Sequence, residues 1–67
     1  MEYNQPKAVD NIQHLVGTRF VASAEAYMQE MTGAQDVRER RPTREARYSM
    51  VEYDLKDGII TAVVVYP

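Results

Sequence analysis

The feature that most constrains the fold is the stretch of residues 46–66, near the C-terminal end of the chain. Asp57-Gly58 lies there between two runs typical of β-strands, and a glycine after a short polar turn residue is a strong hairpin signal. The second run is almost entirely apolar. These residues predict a β-hairpin with strands at about residues 46–55 and 59–66.

A chain of 67 residues has material for one hydrophobic core, so we expect a single small α+β domain over residues 1–67. The composition, 45% hydrophobic and 27% charged, is that of an ordinary globular protein. Domains of this size often depend on disulfides, metals or oligomerisation for stability. The chain has no cysteine and one histidine, so we expect no disulfide, no metal site and no cofactor. Of these three sources of stability, oligomerisation is the one that remains.

The net charge, the lack of cysteine and the short apolar segments indicate which partners and which cellular compartment to expect. The net charge of −2 argues against a general affinity for nucleic acid. The lack of cysteine fits a reducing compartment, and the first residues lack the basic flank and apolar run of a signal peptide. No apolar segment approaches the roughly 18 residues that a membrane span requires. We therefore expect a cytoplasmic protein with no membrane contact.

Apolar residues in the first half of the chain recur at spacings of three and four, which is the period of one helix face. The residues with this spacing are Val9, Ile12, Val16, Phe20, Ala24, Tyr27 and Met31. They predict one long N-terminal amphipathic helix over about residues 6–32, which starts near Pro6 and ends at Gly33. Gly17 lies in the middle of this pattern. Because glycine costs about 1 kcal/mol in a helix relative to alanine, a kink or a break at Gly17 stays open.

The segment between the predicted helix and the hairpin completes the expected sheet. Residues 35–41 fit either a short edge strand or a surface loop. In the hairpin, period-two alternation places Val51, Tyr53 and Leu55 on the face toward the helix. The predicted fold class is therefore α+β, with the long helix packed on a two- or three-stranded antiparallel sheet that contains the C-terminal β-hairpin.

The hairpin turn admits two registers. Either Asp57-Gly58 forms a two-residue turn, or residues 56–58 form a three-residue turn with a glycine bulge, and we favour the first. In either register a single helix covers only one face of the last strand, whereas strands that are apolar on both faces are normally covered on both. A second copy of the chain is the simplest cover, so we expect a homodimer.

The most distinctive local feature is an arginine cluster, in which five of the eight basic residues lie within ten positions. Arginine binds carboxylate and phosphate in a bidentate manner, so the cluster is a candidate site for an acidic protein surface or a nucleic-acid backbone. The alternative is a solvated turn with local ion pairs to Glu39 and Glu45. We add two tyrosines near the free end of the hairpin, because tyrosine is enriched at interfaces. The predicted partner-binding residues are Arg38, Arg40, Arg41, Arg44, Arg47, Tyr48 and Tyr66.

Two further groups of residues are candidates for a catalytic role. His14 would need an oriented nucleophile to act as a general base, and no motif supplies one, so we expect a surface ion pair with Asp10. Glu52 and Asp54 alternate on one strand face and resemble a pair of catalytic carboxylates. One helix and a hairpin offer no enclosing cleft, so we expect solvated outer-face charges that discourage wrong strand pairing.

These observations favour binding without catalysis. We expect a protein-binding module of accessory or inhibitor type that docks on a larger protein through the hairpin and the Arg38–Arg47 patch, and that self-associates. The alternative is a small nucleic-acid-binding or regulatory module that uses the same arginines. Short, cysteine-free chains of this kind are common among viral and mobile-element accessory proteins, which is an association by type only.

Overall fold

The structure is a computed structural model that describes residues 9–67, so the predicted helix start at residues 6–8 lies outside the described residues. It has an α+β fold with one short helix and a three-stranded sheet. In chain order the elements are a 3₁₀ turn at Gln13–Leu15, α1 at Ala24–Thr32, β1 at Asp36–Glu39, β2 at Met50–Lys56 and β3 at Ile59–Tyr66.

The predicted long N-terminal helix is wrong, because the only helical element between residues 9 and 23 is the 3₁₀ turn at Gln13–Leu15. The φ angle of Gly17 is 92°, which is in the left-handed region. From there the chain runs antiparallel to the start of β3. The N–H of Gly17 donates to the Ile60 carbonyl at 2.7 Å, and the N–H of Ile60 donates to the Thr18 carbonyl at 2.9 Å. Residues 17–20 thus exchange the hydrogen bonds of a helix for bonds to a strand edge that would otherwise be unpaired.

Helix α1 follows this segment and ends as the sequence predicts. Gly33 adopts a φ of 72° and its N–H donates to the Gln29 carbonyl at 2.9 Å, which is a left-handed C-cap. The buried positions of α1 are Ala24, Met28 and Thr32, which are spaced four residues apart. Tyr27 and Met31, which the predicted apolar stripe places in the core, are each 39% exposed.

The sheet has the strand order β1-β2-β3 and is mixed rather than antiparallel. Strands β2 and β3 form the predicted antiparallel hairpin, whereas β1 pairs with β2 in parallel, with Asp36 beside Met50 and Glu39 beside Tyr53. Residues 35–41 therefore contain a strand, but its direction differs from the prediction. The parallel direction arises because residues 40–49 carry the chain back to the start of β2 instead of turning it directly.

The hairpin combines a two-residue turn with a β-bulge. Asp57 and Gly58 have φ angles of 53° and 77°, which fits a type I′ turn, and Lys56 is paired with Ile59. One step further along the strand, Leu55 pairs with Ile60 but Asp54 pairs with Ala62, so Thr61 is the extra residue of a bulge. The favoured turn is thus present, but the bulge reverses the alternation beyond it. The first hairpin strand also begins at Met50 rather than at residue 46.

The core lies between the sheet and the segment that contains α1. Val51 and Tyr53 face this core as predicted, and Leu55 packs on its margin. Because of the bulge, β3 contributes Ile60 and Val63 to the core rather than a strictly alternating set. The buried core residues are Ile12, Ala24, Met28, Ala34, Val51, Tyr53, Ile60 and Val63.

Candidate functional site

The predicted partner-binding arginines lie in and beside the connection between β1 and β2. We call residues 40–49 of this connection the arginine loop. It has no regular secondary structure and passes from the end of β1 to the start of β2. Its arginines reach carboxylates that alternate with Val51 and Tyr53 along β2 and therefore point to the outer face of the sheet, away from the core.

The loop is anchored by Glu52, whose side chain is 0% exposed. Arg47 donates from Nε to Glu52 Oε1 at 2.8 Å, and Arg38 Nε lies 3.7 Å from Glu52 Oε2. Both arginine side chains are about one-fifth exposed, at 21% for Arg47 and 19% for Arg38. A buried carboxylate is tolerated only when it is paired, so these arginines make the burial of Glu52 possible.

Arg47 also cross-links the loop backbone. Its Nη2 donates to the carbonyls of Arg41 and Thr43, each at 3.0 Å, and its Nη1 donates to the Glu45 carbonyl at 3.2 Å. The planar guanidinium thus bonds to one buried carboxylate and three loop carbonyls at once, which the single ammonium of a lysine does not match in geometry. Arg47 therefore holds the loop in one conformation.

A second carboxylate strengthens the same arrangement. Glu45 Oε1 accepts a hydrogen bond from the Thr43 hydroxyl at 3.1 Å and forms an ion pair with Arg38 of β1. The Nε atom of Arg38 and the Oε2 atom of Glu52 are buried and have no hydrogen-bond partner within the described chain. Their 3.7 Å contact is thus coulombic rather than a hydrogen bond.

Arg40 forms a separate pair at the edge of the loop. Its guanidinium binds both carboxylate oxygens of Asp54, with Nε 3.0 Å from Oδ1. The hydrogen bond from Arg40 lowers the pKa of Asp54, against a smaller opposing effect of desolvation. The same bond raises the pKa of Arg40. Because the Arg40 side chain is 51% exposed, this pair lies at the surface rather than in the buried network.

Three members of the predicted site remain open to solvent. Arg41 and Arg44 are exposed and form no ion pair within residues 9–67, and Tyr48 is 70% exposed. Tyr66 is half-buried on β3. The structure therefore divides the predicted set into residues that shape the loop and residues that face outward. The role of the set in partner binding stays a prediction.

The expected solvated charge at Glu52 is wrong, although its position on the outer face is right. Sequence analysis missed its role as an anchor because alternation predicts the face of a residue but not what covers that face. The alternation of Val51, Glu52 and Tyr53 is that of any half-exposed strand, so it carries no signal that Glu52 is covered. In the alternative interpretation of the cluster, the arginines pair with Glu39 and Glu45; Glu45 does pair with Arg38, whereas Glu39 forms no ion pair among the described residues.

The ion pair expected between His14 and Asp10 is not formed. Asp10 instead accepts hydrogen bonds from Gln13 Nε2 at 3.1 and 3.3 Å. His14 Nε2 lies 3.1 Å from the Tyr27 hydroxyl oxygen, and the two rings meet edge to face at 6.0 Å. His14 thus joins the 3₁₀ turn to the exposed side of α1.

A second polar contact crosses the core side of the sheet. The Tyr53 hydroxyl donates a hydrogen bond to a carboxylate oxygen of Glu25, and the Tyr53 ring stacks on Phe20 at a centroid distance of 5.2 Å. Burial raises the pKa of Tyr53, and the neighbouring Glu25 carboxylate raises it further. This contact stabilises the packing of α1 on β2.

Two kinds of site are not found in residues 9–67. No group of three or more histidine, aspartate or glutamate side chains there could hold a metal ion. In the same residues, no helix has the length and apolar character to cross a membrane.

Comparison with protein-family models finds no match, and comparisons with curated proteins and with solved structures find none either.

Proposed function

We propose that this chain is a non-catalytic protein-binding module that docks on an acidic surface of a larger protein through the arginine loop. The observation that carries the proposal is the pairing of Arg47 with the buried Glu52, which holds the loop while Tyr48 stays 70% exposed. A binding loop that is ordered before it meets its partner loses less conformational entropy on association.

The contact residues in this proposal are Arg41, Arg44 and Tyr48. Tyrosine and arginine are enriched among the residues that dominate binding energy at protein interfaces. Arg38, Arg40 and Arg47 of the original set act indirectly, because their guanidinium groups are engaged with Glu45, Asp54 and Glu52. Tyr66 extends the surface along β3.

The test is quantitative capture of partners from a nuclease-treated lysate. The chain is compared with the double variant Arg41→Gln/Arg44→Gln and with Tyr48→Ala. The matched control is Lys7→Gln/Lys56→Gln, which removes the same charge elsewhere in the chain. We expect a defined protein to be depleted at least about tenfold with the loop variants and retained with the control, since interface residues of these types commonly cost more than about 1.4 kcal/mol when truncated.

The alternative nucleic-acid function is favoured by one observation, namely that Arg41 and Arg44 lack ion-pair partners among the described residues. Binding to duplex and single-stranded oligonucleotides across a salt series separates the two functions. Two phosphate contacts on a duplex would give a slope of log K against log salt of roughly −1.8. Equal capture by all variants, together with salt-sensitive oligonucleotide binding that the loop variants lose, would replace the protein-docking proposal with the alternative.

A further inference from the structure

A groove lies beside the N-terminal end of α1, on the core side of the sheet and therefore opposite the arginine loop. Its volume is about 240 Å³. The groove lies where the chain between the 3₁₀ turn and α1 is not helical, next to Ile60. The residues that line it include Leu15, Thr18, Arg19, Val21, Tyr27 and Ile60.

The walls of the groove are held in place. The Thr18 hydroxyl donates to the Leu15 carbonyl at 2.6 Å, and the Tyr27 hydroxyl oxygen is 3.1 Å from His14 Nε2. Ile60, at the base, is 1% exposed, and its backbone is hydrogen-bonded to Gly17 and Thr18. A ligand would therefore meet a groove that is already formed.

The volume of the groove indicates what kind of group could fill it. Pockets that enclose drug-sized ligands measure about 300–1,000 Å³, so a groove of about 240 Å³ suits one or two side chains rather than a whole small molecule. Its apolar rim is exposed to solvent, with Val21 at 51% and Tyr27 at 39%. This rim favours an apolar side chain inserted from a partner.

The positive charge of Arg19 at the rim favours acidic residues next to the inserted side chain of the partner. Arg19 is exposed and forms no ion pair within the part of the chain that the structure describes. It is the charged residue among those that line the groove. A carboxylate next to the inserted side chain would therefore meet an unpaired guanidinium, whereas a lysine there would be repelled.

We propose that this groove is a docking site for a short peptide segment of a partner protein, which inserts a leucine and pairs an adjacent aspartate or glutamate with Arg19. This site is distinct from the arginine loop and does not depend on the proposed function, because the two surfaces lie on opposite faces of the sheet and share no residue. A partner that used both would hold the domain from two sides.

The test is a titration of the isotope-labelled full chain by nuclear magnetic resonance. The probe is the peptide acetyl-Gly-Asp-Leu-Glu-Gly-amide. Its two controls replace the leucine with alanine, or the two acids with their amides. We expect saturable shifts of the Leu15, Val21 and Ile60 methyl signals with the probe. We expect binding to weaken about tenfold or more with the alanine control and about two- to fivefold with the amide control, the latter from the usual strength of an exposed ion pair.

Substitutions in the chain test whether the probe peptide binds at Arg19. Arg19→Gln should weaken probe binding about two- to fivefold, as the amide control does. Arg19→Glu should favour the lysine-substituted peptide acetyl-Gly-Lys-Leu-Lys-Gly-amide over the acidic probe. Arg41→Gln/Arg44→Gln should leave probe binding unchanged, which separates this site from the loop.

Three outcomes would overturn the proposal. The first is the absence of saturable methyl shifts, or equal binding of the alanine control. The second is a change in the groove signals with protein concentration alone, which would show a second copy as the occupant. The third is a set of nuclear Overhauser contacts between the groove methyls and residues 1–8, which would show the chain's own N-terminal segment as the occupant.

Discussion

Arg47 donates from Nε to Oε1 of Glu52 at 2.8 Å, and this carboxylate is wholly buried on the outer face of the central strand β2. The pair joins an irregular loop to the central strand of the sheet. The Arg47–Glu52 pair holds residues 40–49, which connect the parallel strands β1 and β2, in one conformation although this connection contains no helix.

Arg47→Ala should lower the free energy of unfolding by about 3–5 kcal/mol, because it leaves the carboxylate of Glu52 buried without its main partner. Arg44→Ala, which removes an exposed arginine of the same loop, should change it by less than about 0.5 kcal/mol. Urea denaturation followed by circular dichroism measures both. The double variant Arg47→Met/Glu52→Leu should be far closer to the wild type than Arg47→Ala, because it removes both charges together. Equal stability of Arg47→Ala and Arg44→Ala would contradict the anchor.

Gly17→Ala should destabilise the protein by about 1–2 kcal/mol. The reason is the backbone, since φ is 92° and nothing lies within 4 Å of an added Cβ atom. Gly17→Asn should cost less, because asparagine tolerates left-handed geometry better than alanine. The sign of the effect is decisive, since the same change inside a continuous helix would stabilise it by about 1 kcal/mol. Thermal unfolding of the three proteins measures the order, and a more stable Gly17→Ala would support the helix predicted from the sequence.

The contact between Arg40 and Asp54 should be visible in a carboxyl titration by carbon-13 nuclear magnetic resonance. The pKa of Asp54 lies below its ordinary value because Arg40 binds its ionised form, and Arg40→Gln should raise it toward that value. Since the folded-state pKa is lowered, the pair stabilises the fold above the ordinary pKa of aspartate, near pH 4, and this contribution is lost as the pH falls below it. An unchanged Asp54 titration in the variant would contradict the pair.

Tyr53 should make stability fall at alkaline pH. Its pKa is raised by burial and by the Glu25 carboxylate, so the stabilising contribution is complete below the ordinary pKa of tyrosine, about 10, and is lost as the pH rises above it. Absorbance at 295 nm should show a late phase, in which the Tyr53 phenol ionises above the ordinary pKa of tyrosine. Tyr53→Phe should remove this late phase, whereas Tyr48→Phe, which leaves the contact with Glu25 intact, should retain it.

Self-association stays a prediction, and the structure indicates where it should occur. Residues 17–20 pair with the start of β3, and Gln13 Nε2 donates to the Val63 carbonyl at 2.9 Å. These contacts cover the edge of β3 that faces away from β2, but only as far as Val63. The remaining apolar edge has no charged side chain to prevent pairing with a second copy. Sedimentation equilibrium should give a dimer, and Val64→Lys should shift it toward the monomer. A wild-type monomer at about 0.5 mM, roughly five hundred times a micromolar dissociation constant, would contradict this prediction.

The elements that the sequence predicted correctly are those that depend on neighbouring residues. Asp57-Gly58 favours a type I′ turn by itself, because both positions tolerate a positive φ. Gly33 ends α1 for the same local reason. Alternation along β2 places Val51 and Tyr53 toward the core, since the side chains of a strand point to opposite faces in turn.

The three- and four-residue spacing of apolar residues in the first half of the chain led to a wrong prediction. The same spacing occurs in a segment that forms hydrogen bonds to the edge of a sheet. Gly17 and Thr18 form hydrogen bonds with Ile60 of β3, more than forty positions away in the chain. Tertiary pairing of this kind overrides a local helical preference that is worth only fractions of a kcal/mol per residue. Phe20, predicted on the helix stripe, instead stacks on Tyr53 of β2.

The candidate site divides in the same way. The arginine cluster and its charge were visible in the sequence alone, as was the outward direction of Glu52 along β2. Only the tertiary structure decided which arginines are engaged internally and which face solvent, because a carboxylate becomes an anchor when the folded chain removes water from around it. Water is excluded by residues distant in sequence, and no local pattern records which residues those will be.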